Sequence, residues 1–211
     1  MAGPLTIIGI GINMNHIIAN KVYNGHGLYR GDDPYNPLHL PPYTMRLQYT
    51  DGYTPRYYFG GSATQISQSP NIWDFTYSSN NWENVFYFED KLTDVLGGNT
   101  KNVYDMHSMF YRCSSLTSFT LFDTSEVTTA YSMFEFCTNL PYVPLLNTSK
   151  LKIMSSMFKD CPYVSGGILN LYNQLTTQQD KPTSYSLTFS NCGVSSQVGS
   201  AELAQIPSDW K

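Results

Sequence analysis

Four cysteines are the residues whose type and spacing first suggest chemistry. Cys113, Cys137 and Cys161 follow one another at intervals of 24 residues, and Cys192 comes later. A thiolate can be a nucleophile, a metal ligand or a disulfide partner. Zinc asks for Cys-x-x-Cys or for close Cys and His pairs, and the sequence has neither. Nucleophilic use asks for a neighbouring base. His107 lies near Asp105 and Cys113, but Cys137 and Cys161 have no His in the equivalent place. No catalytic role is therefore assigned. A disulfide stays open as an alternative, because stacked strands lie ~4.8 Å apart and that overlaps the Cα separations a bridge accepts. The preferred reading is a column of buried, reduced thiols acting as small hydrophobes.

Other chemical signals are thinner. His16, His26 and His39 are scattered. Gly9-x-Gly11 lacks the third glycine and the following helix of a dinucleotide fingerprint, and neither a phosphate loop nor a Gly-x-Ser-x-Gly elbow is present. The chain is expected to be non-enzymatic, with no cofactor and no metal. Arg30-Gly31-Asp32 spells an integrin-binding tripeptide, but three residues match by chance, and Asp33-Pro34 after it marks an ordinary turn. The candidate ligand contacts are aromatic: Tyr53, Tyr57 and Tyr58, followed by Phe59. Exposed rings of this kind stack on sugars or on a protein surface, though about half of them should simply pack a β core.

The elements that must carry these residues follow a repeat. Met109-Phe110 leads to Cys113, Leu116, Phe119 and Leu121; Met133-Phe134 leads to Cys137, Leu140, Val143 and Leu145; Met157-Phe158 leads to Cys161, Val164 and Leu169. Val103, Val127 and Leu151 keep the same phase, as do Ser108, Ser132 and Ser156. A weaker copy, Val85-Phe86 with Leu92 and Val95, precedes these, with Glu89 in the cysteine's place. Another, Phe189-Ser190-Asn191-Cys192, follows after an insert whose Ile168, Leu171, Tyr172 and Leu175 have helical spacing. Units that cannot bury an apolar face alone bury it by stacking. Each unit is expected to hold a short strand (117–121, 141–145) and a short helix (127–134, 151–158). Asp123-Thr124-Ser125 and Asn147-Thr148-Ser149 would cap the helices; the latter also fits a glycosylation acceptor, which the repeat explains better. The fold class expected is α/β, a leucine-rich-repeat-like solenoid of 24-residue period with an N-terminal β cap and an extended N-terminal arm.

The segment LFDTSEVTTAYSMFEFCTNL, with its recurrences, resembles the BspA-like leucine-rich repeat family found in bacterial surface proteins, mycoplasma lipoproteins and gut-phage genomes. The segments SPNIWDFTYSSNNWENVF and AELAQIPSDW are similar to those that flank such repeats in gut-bacteriophage proteins. The resemblance implies a repeat domain for surface binding.

Outside the repeats, Tyr43, Met45, Leu47 and Tyr49 alternate with polar residues, Asp51-Gly52 marks a turn, and Trp73, Phe75 and Tyr77 alternate again. Residues 43–80 are read as a small β capping region and 81–211 as the repeats with a C-terminal cap around Leu203, Ile206 and Trp210. Residues 1–42 hold scattered Gly and Pro and an apolar stretch, Leu5, Ile7, Ile8, Ile10 and Ile12. They are read as an extended arm that anchors on a partner chain. No positive region precedes Leu5 and no small-residue cleavage site follows Ile12, so the arm is expected to belong to the mature protein.

Composition narrows the partners. Charged residues are 13% of the 211, against 41% hydrophobic, with 17 Tyr and 11 Phe; about 25% charged is ordinary. A polar, uncharged, Tyr-rich surface suits adhesion. With net charge −4 and no basic run, neither nucleic acid nor an anionic membrane surface is the expected partner. No stretch approaches the ~20 apolar residues of a spanning helix. The resemblance to the BspA-like repeats, together with the missing export signal, implies a phage virion component: capsid decoration, head fibre or tail-associated. Its arm would hold other virion proteins, and its repeats would adhere to a bacterial surface or glycan, in several copies per assembly or as a homo-oligomer. A particle released by lysis needs no export signal, whereas the alternative, a bacterial cell-surface adhesin, does.

Overall fold

The alternation of Met45, Leu47 and Tyr49 produces strand β1, Thr44–Tyr49. The computed structural model describes residues 40–56, 61–120 and 122–211. Four further strands join β1: β2, Ser62–Gln68; β3, Asn71–Thr76; β4, Leu92–Asn99; and β5, Ser118–Phe119. Their order is β2-β3-β1-β4-β5, antiparallel except for the parallel β4–β5 pair. The register sets Met45 against Phe75 and Leu47 against Trp73 on one side, and Leu47 against Val95 on the other. These apolar residues share one core face. The strand β1 is not half-buried: Thr44 and Arg46, on its second face, are buried as well. Arg46 is held there by a forked pair with Asp74, Nε to Oδ1 at 2.6 Å and Nη2 to Oδ2 at 2.7 Å. The edge strand β2 is mostly exposed and polar, which is why no apolar alternation announced it.

The expected α/β leucine-rich-repeat-like solenoid does not form. The described residues form a single mostly-sheet domain whose sheet is open, with five strands and two short α-helices. No helix forms over 127–134 or 151–158 and no strand over 141–145. Of the strand expected over 117–121, β5 holds Ser118–Phe119, and Leu121 lies outside the described residues.

Backbone hydrogen bonding explains the missing helices. A helix keeps each N–H inside its own segment. Here alternate N–H groups leave it. The amides of Met109, Tyr111 and Cys113 donate three residues back, to Met106, Ser108 and Phe110. Those of Met106, Ser108, Phe110 and Arg112 donate instead to the carbonyls of Thr129, Tyr131, Met133 and Glu135 in the next repeat. The same division recurs one repeat on, where Phe134 donates to Met157 and Phe136 to Lys159. It requires two left-handed residues four apart in each unit: Ser108 and Arg112 (φ 51° and 59°), Ser132 and Phe136 (51° and 61°), Ser156 and Asp160 (58° and 56°). The repeats are therefore stacked turns. The expected helix caps become turns of another kind, in which Asp123 and Asn147 carboxyl and amide oxygens accept from the amides of Ser125 and Ser149, two residues on.

The interior of the stack is a file of rings. Phe86, Phe110, Phe134 and Phe158 lie near-parallel, with successive centroids 5.5, 5.5 and 5.3 Å apart. Phe189 continues the file at 6.2 Å and Trp210 closes it at 6.2 Å. At the other end Phe75 of β3 meets Phe86 edge-on at 4.9 Å. Beside the rings, buried Thr100 and Thr124 each donate to a carbonyl of the next repeat, at Asp123 (2.6 Å) and Asn147 (3.1 Å).

The insert forms helix α1, Ile168–Thr177, with Ile168, Leu171 and Leu175 buried, as the spacing predicts. Its first amides, on Ile168 and Leu169, donate to the Glu202 carboxylate of helix α2, Gln197–Ala204, at 2.8 and 3.3 Å. In the tail, Ile206 and Trp210 are buried. Among the described residues no helix is long and apolar enough to cross a membrane.

Candidate functional site

The left-handed residue that ends each turn turns its side chain away from the ring file. Phe88, Arg112, Phe136 and Asp160 occupy this place, and Tyr87, Tyr111, Glu135 and Lys159 come just before it. Stacking the turns brings these side chains into one ridge. Tyr87 and Tyr111 stack at 4.9 Å with planes 7° apart. Phe88 lies 4.5 Å from Tyr87 and 5.6 Å from Tyr111, and Phe136 meets Tyr111 edge-on at 5.7 Å. The Arg112 guanidinium carbon is 5.1 Å from the Phe88 ring centre and 4.7 Å from that of Phe136. Phe88 is 38% exposed, whereas the phenylalanines of the inner file, Phe86, Phe110, Phe134 and Phe158, are fully buried.

The charges on the ridge are unequal. Lys159 is neutralised by Glu135 at 3.1 Å and Asp160 at 4.0 Å; the Glu135 pair and hydrogen bond raise its pKa above the ordinary lysine value. Glu135 also accepts from Ser132 Oγ at 2.5 Å. Arg112 has rings as its neighbours and forms no ion pair with a carboxylate among the described residues. The chemistry on offer is flat apolar faces beside one guanidinium fork.

Tyr53, by contrast, is built into the structure. It stacks on Tyr49 at 5.5 Å, and its hydroxyl donates to Glu89 Oε2 at 2.9 Å. The Glu89 carboxylate also accepts the Arg56 amide at 3.1 Å. Glu89 is buried, and burial pushes its pKa above the usual carboxylate value against the lowering effect of the Tyr53 hydrogen bond. Tyr57 and Tyr58, and the arm residues Leu5, Ile7, Ile8, Ile10 and Ile12, lie outside the described residues.

The cysteines are free and buried. The thiols of Cys113, Cys137 and Cys161 donate to the carbonyls of Phe86, Phe110 and Phe134 at 3.2, 3.1 and 3.0 Å. His107 sits elsewhere, its Nδ1 3.7 Å from Glu83 and its ring edge-on to Tyr131. Among the described residues no group of three or more His, Cys, Asp or Glu is placed to hold a metal ion. A crevice between Met106, Val127, Met133, Leu151 and Met157 has room for about one water, at 10 Å³.

The ridge was readable only from a subtle sign. The core positions repeat the same residue type, whereas the place held by Phe88, Arg112, Phe136 and Asp160 changes from copy to copy. Side chains free of the stacking constraint are the ones available for contact.

Fold and ridge define a structural class, an open sheet continued by stacked 24-residue turns with an aromatic outer edge. The chain belongs to the family described as Mycoplasma protein of unknown function, DUF285, which matches residues 57–192, more than half of its length. No curated protein and no solved structure matches it.

Proposed function

We propose that this protein is a non-enzymatic binding module whose repeat surface adheres to a bacterial surface or glycan, carried on a phage particle as a capsid decoration, head fibre or tail-associated component. The observation that carries the binding part is the ridge of exposed Phe88 and Arg112 beside half-buried Tyr87, Tyr111 and Phe136. Large rigid rings offer contact area at small entropic cost. The particle setting rests on the resemblance of the repeats to BspA-like leucine-rich repeats of gut phages. Residues 1–42 would attach to other virion proteins, and several copies per particle would turn weak contacts into avidity.

Mass analysis of purified particles tests the setting, and adhesion of the full chain to host cells tests the binding. A chain that is missing from particles and adheres to no cell defeats the proposal. A second reading, a bacterial cell-surface adhesin, is favoured by the matched family's description as a Mycoplasma protein. Recovery of the chain from the surface of uninfected cells selects it.

A further inference from the structure

We propose that the ridge is a binding site for a carboxylated sugar, with Arg112 as the group that selects the carboxylate. This rests on the binding reading above and assigns it a place and a ligand class. Pyranose rings present an apolar C–H face, and that face packs on aromatic rings whose π clouds carry negative charge. Tyr87, Phe88 and Tyr111 supply such rings 4.5–5.6 Å apart, and Phe136 adjoins Tyr111 at 5.7 Å. Four rings and one guanidinium are far fewer than the roughly 20–30 residues that each side of a stable protein interface contributes.

Charge decides the class of sugar. The Arg112 guanidinium carbon sits 5.1 Å from the Phe88 ring centre and 4.7 Å from that of Phe136. Its N–H fork is shaped to hold a carboxylate in two parallel hydrogen bonds, and no protein carboxylate pairs with it among the described residues. Lys159, the other cation here, is already matched by Glu135 and Asp160. Those two acids stand beside the ridge and repel a polyanion, so the complement is a ligand with one isolated carboxylate. Sialylated or uronate-bearing saccharides have that chemistry; sulfated polymers and acidic polypeptides do not.

The test uses the full chain with 3′-sialyllactose, lactose and a poly-glutamate peptide in titration calorimetry. Sialyllactose is expected to bind at least about tenfold more tightly than lactose. Arg112→Asn, chosen because Asn accepts the left-handed backbone that Arg112 adopts (φ 59°), is expected to bring both sugars to the same weak affinity with an unchanged melting temperature. Arg112→Lys, which keeps the charge without the fork, is expected to restore only part of the preference. Equal binding of the two sugars, no saturable binding of either, an Arg112→Asn variant that keeps the preference, or displacement of sialyllactose by poly-glutamate each overturns the proposal. Host-cell adhesion that survives in Arg112→Asn would sink this site and leave the wider binding function standing.

Discussion

Each buried thiol of Cys113, Cys137 and Cys161 donates a hydrogen bond to a phenylalanine carbonyl in the preceding repeat. Burial pushes all four thiols above their ordinary pKa. The native protein is expected to react with an aromatic disulfide reagent at none of its cysteines, and at four after denaturation; a thiol that reacts rapidly in the native state would contradict the burial. The same shift makes stability depend on pH. A folded chain that holds its thiol protons more tightly is at full advantage below the unfolded thiol pKa of about 8.5 and loses that advantage as pH rises toward the folded value. The urea midpoint should therefore fall between pH 7 and 9.5. Glu89 behaves alike in the acid range, its pKa being raised chiefly by burial. Its contribution is full below the unfolded carboxyl value of about 4.3 and declines as pH rises through the folded value. Glu89→Gln keeps partners for Tyr53 and the Arg56 amide and removes the titration. Wild type should lose stability relative to this variant between pH 4 and 7, and parallel midpoints across that range would refute the assignment.

The turn is the element that sequence periodicity misread. Val127, Ala130, Met133 and Phe134 have spacing that a helix would use, and all four are buried. A tight turn that winds past the same core satisfies that spacing equally. What decides between them is where the amides donate, and half of them donate to a neighbouring repeat, a partner no local pattern can reveal. The left-handed residues this demands cost roughly 1–2 kcal/mol each unless they are glycine. Leu187 is one of them, at φ 58° and 43% exposed. Leu187→Gly is therefore expected to raise stability by about 1 kcal/mol, read from urea unfolding; a loss of stability would show that its side chain packs more than its exposure suggests. The helix α1 was legible because its insert lies outside the stack. Its Ile168, Leu171 and Leu175 share one buried stripe, and beyond the first amides, which Glu202 accepts, its backbone hydrogen bonds close within itself.

At the scale of the whole molecule, one file of rings from Phe75 to Trp210 ties sheet, turns and tail into a shared interior. Phe134 is in mid-file and fully buried. Phe134→Ala is expected to cost about 4 kcal/mol in a single cooperative transition seen alike by circular dichroism and tyrosine fluorescence. Trp210 stands at the end, 4.3 Å from Tyr185 and 6.2 Å from Phe189. Trp210→Ala should cost about 3 kcal/mol and open the C-terminal residues to protease before the rest. Equal proteolysis along the chain would argue that the end is not a separate weak point.

The amino-acid sequence by itself determined which side chains go inside. The phase of Phe86, Phe110, Phe134 and Phe158, the cysteine column and the buried tail residues can be read from apolar recurrence, because burial depends on side-chain type and on spacing along one chain. Only the tertiary structure decided the secondary structure of the repeats, the open sheet with its polar β2 edge, the structural use of Tyr53, and the ridge around Arg112. Each of these depends on a partner far away in sequence: an amide acceptor one repeat on, the buried Glu89, or a ring 24 residues distant. Such pairings exist only once the turns have stacked.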